Sequence, residues 1–203
     1  MRPGDSSSKF AILGALSLKP ASGYDIKRFV ASSIGHFWNE SYGSIYPILK
    51  KLAREKLIQA QKGPQNGRDR VIYAITQPGE KALRVWLSSP PRAEPFRSEI
   101  LLKLFFARRA PVNISVSQIQ ERKRAEEHRL AAYAQIKDQL TRQHADHPEL
   151  PYWLMTLSYG RHRSQAVVAW SNETLASLVK FEKISKRKKI DKIKIDKIKR
   201  GAK

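Results

Sequence analysis

A chain of 203 residues with 41% hydrophobic side chains is long enough for one large core or two small ones. Its 39 Lys and Arg against 18 Asp and Glu leave a net charge of +21, which points to polyanions as partners, nucleic acid before an anionic membrane. The lack of cysteine excludes disulfides, thiolate chemistry and Cys-based zinc sites.

No run approaches the roughly 18 apolar residues of a membrane span. The opening MRPGDSSSKF has no apolar segment of signal-peptide length. A soluble, cytoplasmic protein is therefore expected. The charge is uneven. Residues 1–76 hold 12 basic against 5 acidic side chains, residues 77–179 hold 15 against 10, and residues 180–203 hold 12 against 3.

In chain order, residues 1–8 read as a disordered polar arm. KFAILGALSLK (9–19) predicts a short helix, apolar all round and therefore buried, which Pro20 stops. Ser22 is placed to cap the next helix, GYDIKRFVASSI, with Asp25 three residues on as its capping-box partner and Gly35 closing it. Asn39 or Ser41 can cap a third helix. In it, Ile45, Ile48, Leu49 and Leu52 fall on one side. Ser44, Pro47, Lys51 and Arg54 fall on the other, with Lys50 beside them. Pro47 fits an α-helix only near its first turn, so that helix should open irregularly or bend there.

LIQAQK and RVIYAIT then flank GPQNGRD, whose turn formers and two arginines, Arg68 and Arg70, predict a hairpin with a basic tip. A basic-faced helix followed by a basic hairpin is the plan of a winged helix-turn-helix, in which the helix fits the major groove and the hairpin reaches backbone or minor groove.

Thr76 caps a helix at 77–89 with Pro78 in its first turn, and PPRAEP (90–95) is the expected linker. FRSEILLKLFFARR (96–109) reads as an apolar-rich helix broken by APVN. Residues 115–144 carry the longest helical pattern, with a thin apolar stripe and a charged middle, ERKRAEEHR. That pattern suggests an arm packed on a partner helix rather than in a monomer core. HADHPELP is a loop before a last helix at 150–181. The tail 182–203 contains KIDKI twice in tandem. Its isoleucines follow no sustained helical stripe, so a disordered basic low-complexity segment is expected.

With these residues in view, the chain resembles the PadR family of bacterial transcriptional regulators. ILGALSLKPASGYDIKRF is similar to the family's opening helices. SIGHFWNESYGSIYPILKKLAREKLI, with Gly-x-Ile-Tyr-Pro-x-Leu at 43–49, is similar to its recognition segment. The hairpin, TQPGEKALRVWL and FRSEILLKLFFA follow in the family's order. The later helices resemble the C-terminal dimerisation domain of the longer class typified by the virulence activator AphA. The resemblance covers about residues 9–179 and leaves the basic tail outside.

It implies a mainly α fold with a small β-hairpin wing: a winged helix-turn-helix at 9–89 and a helical dimerisation and effector domain at 96–181. It further implies a homodimer on a palindromic operator in double-stranded DNA, most often a repressor. No cofactor is implied, and the effector would be a small aromatic or phenolic molecule. A cytoplasmic, nucleoid-associated location follows, and no membrane partner.

The DNA-contact candidates are Tyr24, Lys27, Ser44, Tyr46, Pro47, Lys50, Lys51, Arg68 and Arg70. Tyr24 either binds a phosphate at a helix N-terminus or packs half-buried in the bundle. Lys50 and Lys51 either meet DNA or form a solvated face. Phe37, Trp38, Tyr152, Trp153, Tyr159 and Trp170 either line an apolar ligand pocket, with Arg161 or His162 meeting a carboxylate, or belong to core and dimer interface. His144, Asp146, His147 and Glu149 are crowded but follow no repeated ligand spacing, and no metal is expected.

There is no Gly-x-Ser-x-Gly, Walker-type loop or His-Glu-x-x-His, so no enzymatic activity is expected. Two other functions compete with the regulator. One is a non-specific or architectural nucleic-acid binder driven by the tail. The other is a peripheral membrane protein using the same charge.

Overall fold

The structure, a computed structural model, describes residues 7–35, 37–38, 45–62, 71–93 and 96–201; the side chains of Lys62 and residues 184–201 lie outside that description. It divides into two compact units, Met1–Glu94 and Pro95–Lys203.

The described residues of the first unit form four helices and a small sheet. Helix α1 spans Ser8–Leu18 and buries Ile12, Leu13, Ala15 and Leu16. The expected disordered arm loses its last residue to this helix, because Ser8 is its buried first residue; residues 1–6 are outside the described set. Strand β1 is the two-residue Ala21–Ser22, and helix α2 follows at Gly23–Ser32. Ser22 caps α2 in a full capping box. Its hydroxyl accepts the Asp25 N–H and the Asp25 carboxylate accepts the Ser22 N–H, both at 3.2 Å. These bonds satisfy donors the first turn would otherwise leave open.

The helix ends earlier than Gly35. Ser33 is its C-cap, and the Ser32 and Ser33 hydroxyls donate to the Phe29 carbonyl at 3.3 and 2.5 Å, closing the last turn before the glycine is reached.

Helix α3 spans Ile45–Arg54, with Pro47 in its first described turn. The caps expected at Asn39 or Ser41, and the helix opening before Ile45, lie outside the described residues. Ile45, Ile48, Leu49 and Leu52 are all buried, and at spacings of three, four and seven they make one stripe. The stripe packs on α1 and α2. The helix stops in a Schellman motif. Lys56 N–H donates to Ala53 and Leu57 N–H to Leu52, both at 3.0 Å, while Lys56 takes the left-handed φ of 57° usually given to glycine.

That turn feeds the hairpin: β2 at Ile58–Lys62 and β3 at Val71–Ile75, antiparallel from Ile58↔Ile75 to Lys62↔Val71. A third strand was not foreseen. β1 pairs with β3 through Ala21↔Tyr73 and Ser22↔Ile72, so the sheet order is β1-β3-β2. Helix α4 spans Gln77–Leu87, with Thr76 accepting the Gly79 N–H and Pro78 in its first turn. Thr76 also donates to the Lys56 carbonyl at 2.8 Å, tying α4 to the end of α3. Trp86 of α4 stacks on Phe10 of α1 at 4.7 Å.

The second unit begins with α5, Glu99–Phe105, shorter than the helix expected at 96–109. Ala107–Arg109 tightens into a 3-10 turn, and Ala110 is extended because it precedes Pro111. Helix α6 starts three residues before the expected position, at Val112, and runs to Gln143; Pro111 sits just ahead, where a missing N–H costs nothing.

Helix α7 runs Leu150–Gly201 and corrects two expectations. First, the backbone of the tail is helical, not disordered. Residues 161–200 contain neither Pro nor Gly, and Lys, Arg and Ile carry a helix forward once it is nucleated. Second, α6 is not a bare arm, because it packs along α7 of the same chain. Glu126 accepts from Ser164, and Tyr133 lies over Gly160, so the two helices run antiparallel.

The charged middle of α6 is compatible with this packing because its central acid is satisfied. Glu126 is 2% exposed, accepts the Ser164 hydroxyl at 2.7 Å, and pairs with Arg122 at 2.9 Å and Arg129 at 2.6 Å. A buried carboxylate is tolerated only with such partners.

Candidate nucleic-acid interface

The capping box fixes where α2 begins, and the β1–β3 pairing fixes that point against the hairpin. One residue, Ser22, does both. Tyr24 therefore emerges at a defined place, 57% exposed. Lys27 is half-buried, whereas Arg28, one turn after Tyr24, is exposed. Arg28 is not among the sequence candidates. The signal was available: it stands four residues from Tyr24, hence on the same helical face.

On α3 the buried stripe forces the other face outward. Tyr46 is 53% exposed, Pro47, Lys50 and Arg54 are exposed, and Lys51 is half-buried. A partly buried lysine stem with an outward ammonium is the usual compromise for such a position. Tyr46 does not pack into the core. Its ring lies across the start of α2, so close that a Cβ on Gly23 would stand 2.7 Å from its Cε1 and 3.3 Å from Leu49 Cδ1. The missing side chain at Gly23 is what lets α2 and α3 meet there, bringing Tyr46 against the first residue of α2. Ser44, Arg68 and Arg70 lie outside the described residues. The described part of the site is thus two exposed tyrosines and a run of cations on adjacent helix faces, with β2 and β3 carrying the chain toward the tip.

The aromatic candidates fall in both units. Phe37 (49% exposed) and Trp38 belong to the first unit. The Trp38 indole N–H is buried without an acceptor among the described residues. In the second unit Trp153 packs against His147 at 4.5 Å and His144 at 5.6 Å. Tyr159 is 69% exposed. The exposed His162 sets Nδ1 2.8 Å from the Ser158 carbonyl of its own helix, and Trp170 is half-buried. Tyr152 and Arg161 are exposed.

A cavity of about 410 Å³ lies elsewhere, between α5 and α6, lined by Glu99, Ile100, Lys103, Gln118, Glu121, Arg122 and Ala125. Three of its four charged side chains, Glu99, Lys103 and Arg122, are paired. Lys103 pairs with Glu99 at 2.9 Å, and its hydrogen bond and charge hold the Glu99 carboxyl below the usual carboxylate range. Arg122 is held by Glu126. Among the described residues no three His, Cys, Asp or Glu side chains are grouped to hold a metal ion, and no helix is long and apolar enough to cross a membrane.

Comparison with known proteins places this geometry. Residues 12–85 match the transcriptional regulator PadR-like family, and residues 96–179 match the virulence activator alpha C-terminal family. The chain is 28% identical over 178 residues to the negative transcriptional regulator PadR of Bacillus subtilis, covering 85% of this chain and 97% of that one. The crystal structure of that PadR in complex with operator DNA matches with a TM-score of 0.73 at 27% identity, over 84% of this chain and 98% of that one. Its complex with p-coumaric acid matches with a TM-score of 0.68 at 26% identity, over 84% and 97%. The Vibrio cholerae virulence activator AphA matches with a TM-score of 0.67 at 28% identity, over 85% and 98%.

Proposed function

Because this chain belongs to the PadR-like family of transcriptional regulators, we propose that it is a sequence-specific DNA-binding repressor, not an enzyme, acting in the cytoplasm as a homodimer on a palindromic operator. The observation that carries the proposal is the outward face of α3. Tyr46, Pro47, Lys50 and Lys51 stand opposite a buried stripe, beside the exposed Tyr24. Lys27, Ser44, Arg68 and Arg70 complete the proposed contact set.

A helix of this kind offers side chains to base edges and ammonium groups to phosphates, while the helix start at Tyr24 suits a phosphate oxygen. Two copies bound to one operator must place their α3 helices about one DNA turn, ~34 Å, apart. Steric occlusion of a promoter is then enough for repression.

A small aromatic acid is the proposed effector, by likeness to the relative's p-coumaric acid complex. It acts only to the extent that it binds the DNA-incompetent arrangement better than the competent one. The buried indole N–H of Trp38 is a donor such a ligand would satisfy. Phe37, Trp153, Tyr159, His162 and Trp170 remain the other proposed ligand contacts.

The test compares a duplex from the region upstream of the chain's own gene with a scrambled duplex, at several salt concentrations. Preference for the upstream duplex should persist as salt rises, because base contacts survive screening better than phosphate contacts. Equal affinity throughout would rule out the repressor.

Gly23→Ala is a sharper probe of the α2–α3 junction. The added methyl would collide with the Tyr46 ring. Such overpacking costs roughly 1–3 kcal/mol in a closed core, but here a half-exposed ring can swing away. The expected result is a thermal midpoint within a few degrees of the parent and about tenfold weaker binding to the upstream duplex, ~1.4 kcal/mol. Unaltered affinity would place Tyr46 outside the interface.

A further inference from the structure

The chain carries a second strongly basic element that its family does not account for. The family match ends at residue 179, and 84–85% of this chain already spans 97–98% of its relatives. The remaining residues, 180–203, hold 12 basic against 3 acidic side chains, the densest charge in the molecule. The α7 backbone continues through them as helix as far as Gly201.

We infer that this segment is a second DNA-contact arm, binding the phosphate backbone of duplex DNA without reading its sequence. The inference rests on the regulator reading only in its choice of DNA as the polyanion.

At 1.5 Å per residue the helical part of the segment is about 33 Å long, close to one turn of duplex. Over that length DNA presents roughly 20 phosphates, so each ammonium group has a partner without any fixed register. Base readout lacks the means. The segment has no Asn or Gln to pair with adenine and only two arginines, Arg187 and Arg200; its ten lysines can reach guanine, but they follow one another at no spacing that sets a chosen one on a base edge, so they serve as charge. A lipid surface is the weaker match. An interfacial helix needs one apolar face, and the isoleucines of the tandem KIDKI follow no single helical stripe. Tethering to an operator-binding unit keeps the arm at high local concentration near DNA.

The test uses the full chain with Lys186, Arg187, Lys188, Lys189, Lys192 and Lys194 changed to Ala, the best helix former and without a hydrogen-bonding group. A second variant changes the five lysines of this set to Arg, retaining charge. Three probes are used: a random-sequence 30-bp duplex, the upstream duplex, and vesicles containing phosphatidylserine.

Neutralisation should make the slope of log affinity against log salt shallower by about 0.9 for each phosphate no longer neutralised, up to about 5. Random-duplex affinity should fall at least about tenfold at moderate salt, while the upstream duplex loses less, so the specificity ratio rises. The Arg variant should match the parent. An unchanged slope overturns the inference, and so does vesicle binding that disappears while random-duplex binding stays. A fall in the specificity ratio also overturns it, since the arm would then read sequence. If the unaltered chain binds both duplexes equally, the operator reading fails, while the slope difference still judges the arm.

Discussion

Replacing Lys50 and Lys51 together with alanine is expected to weaken binding to the upstream duplex by roughly 100- to 1,000-fold. In a dimer this removes four ammonium groups. At roughly 1 kcal/mol per contact, below the range usual for hydrogen bonds to charged partners, the loss approaches 4 kcal/mol, and each 1.4 kcal/mol is a factor of ten. Fold stability should barely change, because Lys50 is exposed and Lys51 only half-buried, opposite the stripe that holds α3 in place.

The two single variants separate the roles. A phosphate-contacting lysine weakens upstream and scrambled duplexes alike and lowers the salt slope by about one per contact. A base-reading lysine erases the difference between the duplexes instead. Fluorescence anisotropy on both duplexes at three salt concentrations reads all of this. Undiminished affinity in the double variant would remove α3 from the interface.

The legibility of this site has a physical explanation. In α3, burial and charge repeat with the same helical period, so the sequence pattern alone separates Ile45, Ile48, Leu49 and Leu52 from Lys50 and Lys51. The caps at Ser22 and Thr76 were legible for a similar reason: their partners are three residues away. What failed depends on distant partners.

Strand β1 is two residues long and has no period to detect; it exists because Tyr73 and Ile72 lie opposite. Glu126 reads as polar in any binary pattern, yet it is buried, because Ser164 and two arginines satisfy it. The thin stripe and charged middle of α6 call for a partner helix, and α7 of the same chain packs along it. The tail was read by composition as disorder, although nothing in it breaks a helix already begun at Leu150.

Ending the chain after Ser89 is expected to yield a monomer that binds the upstream duplex at least about 100-fold more weakly than the full chain. The fragment keeps a complete core. The buried cluster from Ile12 to Ile58, and the side chains packed against it through Leu83, all precede the cut, as does the Trp86–Phe10 stack. What it loses is the proposed dimer surface. That surface is expected among apolar groups left uncovered in the second unit. On α7, Tyr152, Met155 and Tyr159 are each at least 65% exposed, three and seven residues apart on one face. Around α5, Phe96 and Phe105 are more than 80% exposed and Phe106 is 56% exposed. Exposed aromatic groups in such number mark an association surface.

Joining two DNA-binding units raises affinity by about 10²–10⁴ without any new DNA contact, and the cut removes that gain. Sedimentation measures the mass, and circular dichroism confirms that the fragment stays folded. A full-length variant with Tyr152→Ser, Met155→Lys and Tyr159→Ser gives the independent check, because these side chains point away from the Glu126–Ser164 contact. It should also sediment as a monomer. If the fragment stays a tight dimer, the interface belongs to the first unit. If the fragment is monomeric but the triple variant remains dimeric, the interface lies in the second unit but off this face of α7, and the phenylalanines around α5 become the place to look.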